Sequence, residues 1–257
     1  MDRGRARDDR RPLADGPLRP RPRHLGLFNG AYTAGRPVPD AAFLTTAYLR
    51  SWTNWLPWID AVRSPACWSD PMVARAIPDL SLGRLERLHA AAPKLFDRLD
   101  RLPQALSHLD AWRTNLIGSR APNGAERTIA IEWSSVGRAP LGQEIAILVG
   151  GSHIWLDADP ELLSTMSARV FAGYVDGLRD AGWRGDERAV RCAYAASAAL
   201  YMAPPLPLWL RTQRRPRAAR MGRAKVRSSR GRDRPWLALL LEHVLALSDE
   251  AYALDAK

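Results

Sequence analysis

His108, Asp110 and Asn115 fall within the eight-residue stretch "HLDAWRTN", and a second acid, Glu132, follows in "IAIEW". Phosphoryl transfer could use such groups. It needs a carboxylate that accepts or orients the proton of the attacking hydroxyl. It also needs an oxygen ligand holding a metal ion close by, and a second carboxylate bridging that metal to the phosphates. Asp110 and Asn115 are of the right types for the first two tasks, and Glu132, at the end of a later strand, for the third. A purely structural reading stands beside this one: His108 as a core histidine, Asp110 as a turn former, Asn115 as a cap.

Short elements must position these residues. "QALSH" and "NLIGS" read as two short strands around a polar turn, and "RTIAIEW" (127–133) as a third. Between the last two, "APNGAE" carries Asn123-Gly124, a hairpin turn signal. The rest of the pattern is helical. "HLGLFNGAY" reads as the end of a helix, and Asp40 can cap a second one through "AAFLTTAYLRSWTNWLPWIDAV", with Pro57 bending or ending it. Asp70-Pro71 reads as a cap followed by proline at a first helical position. Ser81 opens a helix whose leucines recur at helical spacing through Leu102. Beyond the loop "SSVGRAPLG", helices are expected near 142–150, 160–181 (capped by Asp159), 186–203 and 235–248. The fold class is therefore mostly α with a small β insertion in the middle.

With 257 residues, 46% of them hydrophobic, the chain can bury a proper core, and ten Trp add aromatic packing. Cys67 and Cys192 match no metal or redox spacing, so a reduced, cytoplasmic setting is expected. The net charge of +11 is concentrated: residues 211–234 hold ten Arg and one Lys against one Asp. Such a run fits a flexible basic loop. It can reflect a GC-rich coding sequence or selection for phosphate contacts, so nucleic-acid association stays an alternative rather than the main expectation. Residues 1–23 read as a disordered basic leader without the apolar core of a signal peptide. The Ala-rich run 192–210 is broken by Pro204, Pro205 and Pro207, so no membrane span is expected there.

The spacing His108-x-Asp110-x-x-x-x-Asn115 is that of a kinase catalytic loop. "LSHLDAWRTNLIG" and "TIAIEWSSVGRAPLGQEIAILVGG" resemble the C-terminal lobe of the aminoglycoside phosphotransferase family, a branch of the protein-kinase-like fold. "RHLGLFNGAY" and "LALSDEAYAL" resemble members of the same family, which extends the likeness over about residues 24–253. The resemblance implies a helical lobe of the aminoglycoside/choline kinase type and an ATP- and Mg2+-dependent phosphotransferase. It makes Asp110 the catalytic aspartate and Asn115 a magnesium ligand. Glu132 takes the place of a magnesium-chelating aspartate, and His108 becomes a brace of the loop. Glu144 falls where the family has another aspartate supporting that loop, although an acid there also suits a helix N-terminus. The acceptor would be a small hydroxyl-bearing molecule, cationic for some relatives.

Two departures shape the expectation. Glu132 is one methylene longer than aspartate, and magnesium demands near-octahedral geometry. Residues 1–23 contain no lysine, no alternating strand pattern and no glycine-rich turn, so the family's nucleotide-covering N-terminal lobe is expected to be missing and the ATP pocket incomplete. Reduced or absent activity of the chain alone follows, and a non-catalytic relic of the same fold is the alternative.

Overall fold

A proline opens the first helix. In the computed structural model, which describes residues 20–54, 57–65, 80–154, 160–205 and 236–255, α1 runs Pro20–Thr33. Proline suits a first turn because its missing N–H would have no helical partner there. α1 thus begins inside the stretch expected to be disordered: positions 20–23 are helical, and Arg23 pairs with Asp180 at 2.6 Å.

The single helix expected over 41–62 is instead two short ones, α2 (Tyr48–Asn54) and α3 (Trp58–Arg63), with Pro57 at the start of the second. The segment before α2 lies along a strand. Thr45 donates its amide to the Val136 carbonyl (3.1 Å) and accepts from the Arg138 amide (2.8 Å). The β-branched pair Thr45-Thr46 favours this extended path over a helix. Gly137 permits the approach, since a Cβ there would lie 2.0 Å from the Thr45 carbonyl oxygen.

Helix α4 (Leu80–Arg101) buries Leu85, Leu88, Leu95 and Leu99 along one face, with Pro93 on the exposed side. Four strands follow: β1 (Gln104–Ser107), β2 (Leu116–Arg120), β3 (Glu126–Ala130) and β4 (Gly137–Pro140). They make two antiparallel pairs, β1 with β4 and β2 with β3. The β2–β3 hairpin turns at Gly124, whose φ of +80° is the left-handed conformation that Asn-Gly predicts. Strand β4 lies in the stretch expected to be a loop. Its four residues include Gly and Pro, too short and too turn-like to read as a strand.

The remaining α-helices among the described residues are α5 (Gln143–Ile154), α6 (Leu163–Asp180), α7 (Glu187–Met202) and α8 (Trp236–Asp255). Asp186 caps α7 by accepting the Arg188 amide (2.8 Å). Every residue of α5 is buried, as is α7 from Cys192 to Met202, so these two form the centre of the core. Among the described residues no helix is long and apolar enough to cross a membrane. Asp70-Pro71, Asp159, Cys67 and the arginine-rich run 211–234 lie outside the described residues.

Two glycines set how closely α1 meets α6. A Cβ on Gly26 would fall 2.0 Å from the Tyr174 carbonyl oxygen, and one on Gly177 would fall 2.0 Å from that of Arg23. Backbone cannot rotate aside as a side chain can. Gly177→Ala is therefore expected to lower stability by about 1–3 kcal/mol, measured as the shift in urea midpoint at unchanged slope. Gly83, with nothing within 4 Å of its hypothetical Cβ, is the control, and its alanine variant should be neutral or slightly stabilising.

Candidate active site

β1 ends at a turn tied down from three sides. His108 is fully buried. Its ring bonds the Ile131 carbonyl through Nε2 (2.7 Å), and the Asp110 amide donates to its Nδ1 (3.2 Å). These partners assign the Nε2–H tautomer. Burial pushes the imidazole below its usual pKa, which keeps it neutral and suits that tautomer. Trp133 lies against the ring, centroids 4.5 Å apart. His108 thus fastens the segment that carries Glu132 to the turn that carries Asp110.

Asn115 ends the short 3-10 turn Arg113–Asn115. Its Nδ2 donates to both the Asp110 carbonyl (2.9 Å) and Asp110 Oδ2 (2.8 Å). With the amide nitrogen spent on Asp110, Oδ1 is the Asn115 atom left for a cation. The Ile131 amide donates to the Asn115 carbonyl (3.0 Å), so Glu132 follows directly on a residue bonded to both His108 and Asn115. Asp110 is half-buried, and burial raises its carboxyl above the usual range. The Asn115 hydrogen bond pulls it back down, while the Glu132 charge adds to the rise.

Both acids are reached through strained backbone. Leu109 (φ 63°), just before Asp110, and Glu132 itself (φ 62°) are the non-glycine residues with positive φ among those described. Such a conformation costs a side-chain-bearing residue roughly 1–2 kcal/mol, and strain of this kind clusters at functional sites. Glu132→Gly is therefore expected to stabilise the fold by about 1 kcal/mol in urea denaturation while abolishing any metal binding there. Glu132→Ala should lose the metal without gaining stability.

Glu144, in the first turn of α5, is 1% exposed and accepts the His108 amide at 2.6 Å. Burial pushes its carboxyl up to about 7, against the pull of the Asn29 side chain and the His108 and Leu109 amides. Asn29, itself buried, donates to the Leu106 carbonyl (2.8 Å) and accepts from the Tyr174 hydroxyl (2.7 Å). Tyr174 in turn accepts the Gly142 amide (3.3 Å). One polar network thus runs from α1 and α6 through the start of α5 to the turn. Asn29 and Tyr174 were not singled out from the sequence, although a lone amide inside the apolar "HLGLFNGAY" was a usable signal.

The donor set suits magnesium. Asn115 offers an amide oxygen and Glu132 and Asp110 offer carboxylates, all hard ligands. Among the described residues no group of three or more His, Cys, Asp or Glu could cage a metal. Beside this set lies an exposed apolar strip: Ile117 and Ile129, which face each other across β2 and β3, followed by Ile131 and Trp133. Comparison with known proteins returned no match to any family model, curated protein or solved structure.

Proposed function

We propose that this chain is the catalytic, helical lobe of an ATP- and Mg2+-dependent small-molecule phosphotransferase of the aminoglycoside phosphotransferase type. The observation that carries the reading is the double hydrogen bond from Asn115 to Asp110, on a turn that His108 joins to the Glu132 segment. Asp110 accepts the proton of the acceptor hydroxyl, and its raised pKa makes it a better base than a free aspartate. Asn115 Nδ2 fixes which carboxylate oxygen is available for that task. Asn115 Oδ1 and the Glu132 carboxylate would hold Mg2+. When bound, that ion supplies neutralisation of charge on the phosphates. Glu144 and His108 hold the turn in place and touch neither substrate. The strip Ile117, Ile129, Ile131 offers an apolar seat for a purine ring or for the lobe that would cover it.

The test is transfer of label from [γ-32P]ATP to a panel of sugars, amino alcohols and aminoglycosides, with Mg2+ and with EDTA. The expected result is Mg2+-dependent label in at least one acceptor, at the low level that an incomplete ATP pocket gives. A chain that labels none and does not bind ATP at millimolar concentration is not a phosphotransferase.

A further inference from the structure

Glu132 holds a left-handed backbone, φ 62° and ψ 58°, and gains nothing local from it. Its exposed side chain makes no hydrogen bond to the turn it opens, and no other hydrogen bond or ion pair engages it among the described residues. Glycine or asparagine would adopt this conformation at lower cost. Such strain persists only where the surroundings over-determine it, so something outside the residue imposes it.

The chain is pinned on both sides of Glu132. Before it, Ile131 donates its amide to the Asn115 carbonyl (3.0 Å), and its own carbonyl accepts from His108 Nε2–H (2.7 Å). After it, Trp133 folds back over the same segment, and its indole N–H donates to the Ala130 carbonyl (3.0 Å). The indole lies tilted against His108, centroids 4.5 Å apart. It also meets Phe28 of α1 edge-on, at 5.7 Å with the planes 67° apart. With Ile131 fixed to the turn and Trp133 returned over Ala130, the one residue between them must reverse the chain. An extended Glu132 would carry the indole away from Ala130, His108 and Phe28. Two ring contacts and a hydrogen bond together offset the strain of a single left-handed residue.

Helix α1 reaches this corner twice. His24 Nδ1 and Thr128 Oγ1 of β3 lie at hydrogen-bond distance (2.8 Å), and Phe28, one helical turn on, backs Trp133. The indole thus touches the catalytic turn through His108 and the helical body through Phe28.

We propose that Trp133, held between His108 and Phe28, is a positioning residue: it forces the left-handed backbone at Glu132 and so sets where the Glu132 carboxylate stands relative to Asn115 and Asp110 for a bound cation. Its meaning for the cation rests on the phosphotransferase reading, and its claim about the backbone does not.

Two readouts on the full chain test it. NMR of protein carrying 13C,15N-labelled glutamate reads the Glu132 backbone through its Cα and Cβ shifts. Loss of the free Mn2+ signal in electron paramagnetic resonance, with Mg2+ as competitor, reads the site. In Trp133→Ala the Glu132 shifts are expected to leave the left-handed range, and Mn2+ affinity to fall about tenfold. Trp133→Phe, which keeps a ring between His108 and Phe28, should retain both. Phe28→Ala removes only the backing ring, serves if Trp133→Ala does not fold, and should move both readouts in the same direction by less. Unchanged Glu132 shifts in a folded Trp133→Ala overturn the proposal, and Mn2+ uptake by that same variant would leave the phosphotransferase reading standing. Moved shifts with unchanged Mn2+ affinity overturn it as well, since the position of Glu132 would then not matter to the ion. A wild type that takes up no Mn2+, with or without AMP-PNP, while its Glu132 shifts answer to Trp133→Ala, keeps the backbone claim and loses the phosphotransferase reading.

Discussion

Asp110→Asn is expected to lower phosphoryl transfer by about 10²- to 10⁴-fold while leaving the affinity for Mg2+-ATP within about twofold of wild type. Asparagine has the shape of aspartate, and its Oδ1 can still accept the Asn115 amide hydrogen, so the turn stays as it is. What disappears is the acceptor for the hydroxyl proton. The variant also sheds a carboxylate that burial disfavours, so its stability should match or exceed the wild-type value. Loss of kcat with retained nucleotide binding separates a base from a binding residue. Equal loss of both would assign Asp110 to binding and remove it from the chemistry.

Glu144 carries the second large effect, and it is read in stability. Glu144→Ala strands the buried His108 amide without its acceptor, at a cost of about 1–3 kcal/mol, and leaves a cavity at the start of α5 besides. The pH dependence is more specific. Burial raises the folded carboxyl from 4.5 to about 7. Below pH 4.5 it is protonated in both states and contributes no pH dependence. Between 4.5 and 7 the unfolded chain releases a proton that the folded protein retains, so stability falls as pH rises, and above 7 the loss is complete. Two and a half pH units correspond to about 3 kcal/mol. Glu144→Gln, neutral at every pH, should remove that decline. Urea midpoints of wild type and variant, compared from pH 5 to pH 8, read the difference directly. Parallel curves would mean that Glu144 is not the buried titrating group described here.

The asymmetry between what could and could not be read in advance has physical causes. Local signals survived into the structure: the Asn-Gly turn, the leucine face of α4 and the Pro57 break all act within a few residues. Strand β4 and the extended path before α2 depend on each other, because Thr45 bonds both neighbours of Gly137, and such a pairing leaves no local trace. The grouping of His108, Asp110, Asn115 and Glu132 was legible because motif spacing fixes three of them and a hairpin returns the fourth. Asn29 and Tyr174 were not, since they come from α1 and α6 and meet the turn only through tertiary packing. The left-handed backbone at Leu109 and Glu132 was equally hidden, because neither residue type favours it.

Titration calorimetry of the chain with ATP, in Mg2+ and then in EDTA, puts the central claim to its most direct test. Binding that requires Mg2+ and is lost in Glu132→Gly and Asn115→Ala, both still folded, is the predicted result. No heat at millimolar ATP, or binding indifferent to Mg2+ and to both substitutions, would contradict it.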